Sequence, residues 1–142
     1  MRLPDVNVLL YAFNRAASDH ERYRAWLDDA LSGDEPVALF DGVLAALVRI
    51  ATHPRLLDPP ATIDEAFAFT DALRAAPSSV AVSPGPRHWQ IFERITRDGN
   101  ARGNLVTDAY LAALALESGS ELITADRDFA RFPGLRWRHP LA

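Results

Sequence analysis

The sequence contains no cysteine, which excludes disulfides and cysteine-ligated zinc. It contains no lysine either: all 15 basic residues are arginine. Chemistry that needs a lysine, such as a Schiff base or a P-loop, is therefore ruled out. Arginine suits bidentate contact with phosphate. No apolar run is long enough to span a bilayer, and residues 1–13 lack both the basic, extended layout of a signal peptide and a small-residue cleavage site. The expectation is a cytoplasmic protein without a membrane partner.

With 142 residues, about half apolar and a quarter charged, the chain is expected to form one soluble domain over residues 1–142, with room for a real core. The formal charge is −4, from 19 acidic and 15 basic residues. That balance argues against a broad nucleic-acid-coating surface. It leaves room for a small, metal-bridged site on a phosphodiester.

The first thirteen residues organise the rest. A short apolar segment runs into Asp5, and apolar residues resume after Asn7, which predicts a strand ending at Asp5 and turning into a short helix. Ser18 and Asp19 are N-cap candidates for the next helix. Its apolar face is Tyr23, Trp26, Leu27, Ala30 and Leu31, and Gly33 ends it. Pro36–Phe40 reads as a buried parallel strand closed by Asp41-Gly42, and Val43–Ala51 as a helix. Pro54, Pro59 and Pro60 mark a loop. Thr62 and Glu65 have the capping-box spacing and open a helix to about Ala76.

Val80–Val82 is a short strand, and Pro86 is placed to start a helix carrying Trp89, Phe92 and Ile95. Residues 98–104 form a polar loop. Thr107 or Asp108 starts a regular helix that Gly119 terminates. A strand follows over Glu121–Thr124, then a short helix from Asp126 to Phe132 and a last strand over Leu135–Trp137. Strands alternating with helices predict an α/β fold with a parallel sheet covered on both faces.

Three aspartates fall at equivalent places. Asp5 follows the first strand, Asp126 follows Leu122–Thr124, and Asp108 begins the helix leading into that strand. Ligands of open α/β sheets bind at the carboxyl ends of the strands. If the two strands are neighbours, all three carboxylates face one pocket. Clustered carboxylates repel one another unless a cation neutralises them. Mg²⁺ or Mn²⁺ suits such oxygen ligands. Such an ion can generate the water nucleophile and stabilise the leaving oxygen in phosphodiester hydrolysis. Each aspartate taken alone would equally serve as an N-cap, and Asp128 as a solvated turn residue. The joint pattern on one sheet edge is what points to a site.

The segments Leu3-Pro-Asp-Val-Asn-Val-Leu9, Arg49-Ile-Ala-Thr-His-Pro54, Thr107-Asp-Ala-Tyr-Leu-Ala-Ala-Leu-Ala115, Leu122-Ile-Thr-Ala-Asp-Arg-Asp-Phe129 and Phe132-Pro-Gly-Leu-Arg-Trp137 resemble, in order, those of PIN-domain ribonucleases. The likeness is greatest to the VapC-type toxins of bacterial toxin–antitoxin pairs. The resemblance implies a three-layer α/β/α sandwich with a central parallel sheet and an Mg²⁺-dependent endoribonuclease activity on RNA. It also implies a homodimer and neutralisation by a VapB-type antitoxin. Residue by residue, it makes Asp5, Asp108 and Asp126 the metal-binding acids, Asn7 and Thr124 their polar supports, and Asp128 a second acid of the last motif.

One position departs from the family pattern. Many members place a glutamate early in the helix after the second strand, where this chain has Ala46. That bears on the number of metals held and on catalytic vigour. Asp41 is the residue placed to compensate. Arg49, Arg102 and Asn104 are candidate substrate contacts. For Arg49 the alternative is a charge facing a helix C-terminus, and for Arg102 and Asn104 it is an ordinary polar loop. The four histidines show no metal-ligand spacing and are assigned to caps, loops or surface. Tyr23, Trp26, Trp89 and Phe92 are assigned to the core or a dimer interface.

Two rival classes remain. A receiver-like phosphoacceptor also uses strand-end acids but calls for a lysine that the chain lacks. A catalytically weakened PIN-fold binding module is kept open by Ala46. A phosphotransfer hydrolase with an Asp-x-Asp motif is disfavoured, because the chain reads Asp5-Val-Asn7.

Overall fold

The structure is a computed structural model that describes residues 1–142. Five short strands make one parallel sheet: β1 (Arg2–Pro4), β2 (Val37–Phe40), β3 (Ser79–Val82), β4 (Glu121–Ile123) and β5 (Trp137–Arg138), in the order β3-β2-β1-β4-β5. Arg2 pairs with Val37 on one side, and Arg2, Leu3 and Pro4 pair with Glu121, Leu122 and Ile123 on the other. β1 and β4, which carry the first and last acidic motifs, are therefore neighbours.

Six helices connect the strands: α1 (Val6–Phe13), α2 (His20–Ser32), α3 (Asp41–Ala51), α4 (Ile63–Ala75), α5 (His88–Asp98) and α6 (Asn104–Ser118). The connections from β1 to β2 to β3 step in one direction across the sheet. The connection from β3 to β4 returns past β1 in the other. Because such crossovers are right-handed, α1–α4 and α5–α6 cover opposite faces, which gives the expected α/β/α sandwich. The reversal between β1 and β4 is a topological switch point, where open α/β sheets leave a crevice at the strand carboxyl ends.

The core forms where sequence periodicity places it. β2 is buried along Val37, Ala38 and Leu39, as befits a strand covered on both faces. α6 is apolar through its middle, with Ala109 and Leu111–Ala115 buried. Its alanines let the helix lie close to the sheet and deliver residue 108 to the β1/β4 edge. Gly119 adopts φ 69° and accepts the left-handed conformation that ends α6 at little cost. The Thr62–Glu65 capping box is present. No helix is long and apolar enough to cross a membrane.

Several boundaries differ from expectation, each for a local reason. α3 starts at Asp41, two residues early, because Phe40 leaves β2 directly into the helix. α5 starts at His88 after Arg87, with Glu117 accepting hydrogen bonds from the Gly85 and Arg87 amides at 2.6 and 2.9 Å. These bonds hold residues 85–87 outside the helix. Asp19 sits at the start of α2 in a left-handed conformation and makes no side-chain cap bond. β5 falls at Trp137–Arg138 instead of Leu135–Trp137, in register with Leu122 and Ile123.

The largest shift concerns α6, which begins at Asn104 and not at Thr107 or Asp108. Gly103, at φ 56° and ψ −125°, makes the sharp entry that only glycine adopts readily. Asp108 consequently lies inside the helix, and the N-cap alternative for it is removed.

Candidate metal centre

Asp5 is the fixed point of the site. It is 7% exposed, at the junction of β1 and α1. Its Oδ1 accepts from the Val6 amide at 2.7 Å, and its Oδ2 accepts from the Thr124 hydroxyl at 2.8 Å and from Asn7 Nδ2 at 3.3 Å. Thr124 is fully buried at the end of β4. Its Oγ1 also accepts from Asn7 Nδ2 at 3.3 Å and from the Asp126 amide at 3.1 Å. Asn7 closes the frame by accepting the Ala125 amide on Oδ1 at 3.2 Å. Asn7 and Thr124 thus join the two strand ends and orient both acidic motifs.

Asp126 caps the 3₁₀ turn over Arg127–Arg131 by accepting the Asp128 amide at 2.8 Å. The cap role weighed from the sequence is thus present, and the Asp126 charge also acts on Asp5 and Asp108. Phe129, fully buried, pins this turn to the core.

The charges of the cluster act on one another. Burial raises the Asp5 carboxyl, hydrogen bonds from Thr124 and Val6 oppose that, and the Asp126 charge adds to it. Asp108 is raised to about 6, first by partial burial and then by repulsion from Asp126, Asp5 and Asp128, with Arg131 opposing. Asp108 therefore feels all three other acids, although it lies more than a hundred residues from Asp5 in sequence. Sequence reasoning misses Arg131. Its position five residues after Asp126 carries no spacing signal, and only the 3₁₀ turn brings its charge toward Asp108. It also donates to the Gly99 carbonyl at 3.3 Å.

No three acidic or imidazole side chains stand close enough to enclose an ion by themselves. The donors converging here are carboxylate and hydroxyl oxygens, with no thiolate or imidazole. Such a set fits Mg²⁺ or Mn²⁺, which take one or two carboxylates and complete their shell with water and substrate phosphate. It does not fit structural zinc.

Other expected residues lie apart. Asp41 is highly exposed and pairs with Arg74 at 3.4 Å, where α3 meets α4. It is not among the charges that act on Asp5 or Asp108. Ala46 is half-buried in α3, so neither residue brings a carboxylate to the cluster. Arg49 is exposed in the last turn of α3, as the helix-end alternative has it. Arg102 and Asn104 are exposed where the chain enters α6.

His88 is buried, not superficial. Its Nε2 lies 2.9 Å from the Tyr110 carbonyl and its ring meets Tyr110 edge-on. Trp89 is 65% exposed, which takes it out of the core.

The PIN domain family matches residues 2–135. Ribonuclease VapC43 of Mycobacterium tuberculosis is 45% identical over 137 residues, covering 96% of this chain and 93% of the relative. The chain belongs to the PIN-domain family, among the VapC ribonucleases. Ribonuclease VapC37 of the same organism is 42% identical over 142 residues, covering 100% and 99%.

Solved structures agree in fold. VapBC2 from Rickettsia felis, bound to a promoter DNA fragment, matches with a TM-score of 0.70 at 17% identity, over 97% of each chain. M. tuberculosis VapC20, described as a sarcin–ricin loop cleaving toxin, matches with a TM-score of 0.65 at 19% identity, over 96% of this chain and 99% of that one.

Proposed function

We propose that this chain is an endoribonuclease toxin that requires Mg²⁺ or Mn²⁺, and that a VapB-type antitoxin restrains it. The observation that carries the proposal is electrostatic: beside the paired strands β1 and β4, Asp108 is raised to about 6 by partial burial and by the charges of Asp126, Asp5 and Asp128. An enzyme gains nothing from such repulsion unless a cation or a proton relieves it. The names of the 42–45% identical relatives supply the activity. The VapBC assembly of a fold neighbour supports the antitoxin as partner. A homodimer and a cytoplasmic location complete the proposal.

When bound, the divalent cation supplies charge neutralisation and activation of water for phosphodiester hydrolysis. Asp5, Asp108 and Asp126 would hold it, and Asp128 would assist from the 3₁₀ turn. Thr124, Asn7 and the Val6 amide keep the Asp5 carboxylate in one orientation before substrate arrives. Burial of Asp5 keeps bulk water from competing for its oxygens. Arg131 moderates the negative field at Asp108 and is positioned to attract phosphate. Arg102 and Asn104 stand at the mouth of α6 where the substrate strand would pass.

A second reading is favoured by one observation: α3 brings no acid to the cluster, and no three ligands are preassembled. A weakened PIN-fold module would bind its partner without cutting RNA.

The experiment is a calorimetric Mn²⁺ titration of the wild type and Asp5→Asn, paired with cleavage of a mixed RNA pool. Ion binding and EDTA-sensitive cleavage that both disappear in a folded Asp5→Asn support the nuclease. Cleavage retained in Asp5→Asn removes the site. RNA left intact by the wild type in Mg²⁺ or Mn²⁺ makes the chain a binding module.

A further inference from the structure

On the same sheet edge, beside the acid cluster, a groove runs between the start of α2, the 3₁₀ turn and the end of β5. Arg22, Arg127, Arg138, His139, Tyr23 and Trp137 line it, and Asp19 is its one acidic side chain. A chain with net charge −4 thus gathers three guanidinium groups in one channel. Arg127 stands between Asp126 and Asp128 in sequence, so one wall of the groove is built from the same turn as the acidic motif.

The three arginines differ in availability. Arg127 is exposed and enters no ion pair. Arg22 meets Asp19 only at 3.7 Å, with both side chains more than half exposed. Such a pair is worth little in water and yields readily to a phosphate. Arg138 is held more firmly by Glu121 at 2.9 Å. His139 is fixed at the far wall, with Nε2 3.4 Å from the Tyr23 hydroxyl and Nδ1 accepting the Leu141 amide at 3.1 Å. Trp137, half-buried on β5, adds an aromatic surface to this positive channel. Guanidinium groups together with aromatic surface suit a single-stranded nucleic acid, whose backbone follows the charge while bases meet the rings.

We propose that this groove carries the ribose–phosphate chain of a single-stranded RNA segment next to the bond cut at the acid cluster, with Arg127 and Arg22 as its phosphate contacts. This rests on the nuclease function proposed above. Arg127 and Arg22 are positioning residues: they hold the strand in line without taking part in bond breaking.

The test uses the full chain and a fluorescein-labelled single-stranded RNA of mixed sequence, with binding read by anisotropy in EDTA so that nothing is cut. Arg22→Ala/Arg127→Ala weakens binding about tenfold or more and flattens the log–log salt dependence by about 0.7 for each phosphate no longer neutralised. In Mg²⁺, KM rises while kcat changes little. Arg127→Lys keeps most of the affinity, and Arg127→Glu binds more weakly than Arg127→Ala. Both arginines are exposed, and unchanged circular dichroism excludes misfolding of the variants.

Affinity and salt slope equal to wild type in the double variant, with wild-type cleavage intact, overturn the groove and leave the nuclease standing. A wild type that neither binds nor cuts RNA overturns both. RNA affinity unchanged while binding of polyglutamate is lost would reassign the groove to an acidic peptide.

Discussion

The Thr124 hydroxyl donates to Asp5 Oδ2 at 2.8 Å, joining residues 119 apart in sequence at the ends of two neighbouring strands. The bond is buried and lies among groups that repel one another. It therefore fixes the geometry of the site while lowering the electrostatic cost of an ionised Asp5. The same oxygen of Thr124 receives the Asp126 amide. One hydroxyl thus sets the relation between the first and last acidic motifs.

Thr124→Val keeps the shape of the side chain and removes the hydroxyl. Asp5 Oδ2 is deprived of its shortest bond, and the Asp126 amide of its acceptor. The expected cost is about 1–3 kcal/mol of stability, measured by urea unfolding in EDTA. Mn²⁺ affinity is expected to fall about 10–100-fold, as is usual when a group supporting a metal ligand is removed. An unchanged Mn²⁺ isotherm in a folded Thr124→Val would refute the supporting role.

Asp108 predicts a pH dependence with a definite sign. Its carboxyl titrates near 6 in the folded chain, against about 3.9 in an unfolded one. Between those values the folded state holds more protons, so cation-free stability falls as pH rises from about 4 to about 6. Below pH 4 both states are protonated and the penalty is absent. Above pH 6 it is complete. Asp108→Asn removes it, so the variant should melt higher than wild type at pH 7 without metal, and the difference should vanish near pH 4. Thermal unfolding in EDTA across that range is the measurement. With cation present the order reverses in function: wild-type Mn²⁺ affinity drops as pH falls through 6, and Asp108→Asn binds poorly throughout.

Much of this arrangement is legible in the chain. Strand–helix alternation sets the fold class, and the polar breaks at Asp5 and Asp126 mark the strand ends that matter. What periodicity does not supply is neighbourhood. That β1 lies beside β4 depends on the crossover direction after β3, which no local pattern records. The start of α6 is hidden because Asn104 belongs by composition to the polar, glycine-bearing run that precedes it. It is the backbone at Gly103 that turns the chain into the helix early, putting Asp108 in the second turn. Arg131 is invisible for a related reason, since a 3₁₀ turn sets side chains at angles that an α-helical reading misassigns. An isolated histidine such as His88 reads as a surface residue, because nothing in the sequence signals that a carbonyl, here that of Tyr110, awaits its ring nitrogen inside the fold.

Asp41 is the residue that sequence position alone would choose to replace the acid missing at Ala46. Its pairing with the exposed Arg74 side chain, in a pocket between α3 and α4, gives it another place. Asp41→Ala should therefore leave the Mn²⁺ isotherm and the rate of RNA cleavage within about twofold of wild type. Its stability should shift by less than about 1 kcal/mol, as for other exposed ion pairs. A fall in metal affinity comparable to that of Asp5→Asn would place Asp41 in the centre after all.

Phe129 separates the stability of the fold from the order of the site. Its ring is fully buried under the 3₁₀ turn and meets Phe132 edge-on at 6.1 Å between centroids. Phe129→Ala should cost about 3–5 kcal/mol through the cavity it leaves, seen as a lower urea midpoint. Because the ring anchors the turn that presents Asp126 and Asp128, the damage should extend to the metal site even where the variant remains folded. Phe129→Leu fills most of the volume and should recover most of the stability, but without the aromatic pairing to Phe132 the turn is held less firmly. The decisive comparison is Mn²⁺ affinity in Phe129→Leu at a temperature where both proteins are fully folded. Weaker binding there would mean that the core beneath the turn sets the geometry of the acids above it. Equal binding would mean that the hydrogen bond from the Asp126 amide to Thr124 alone suffices.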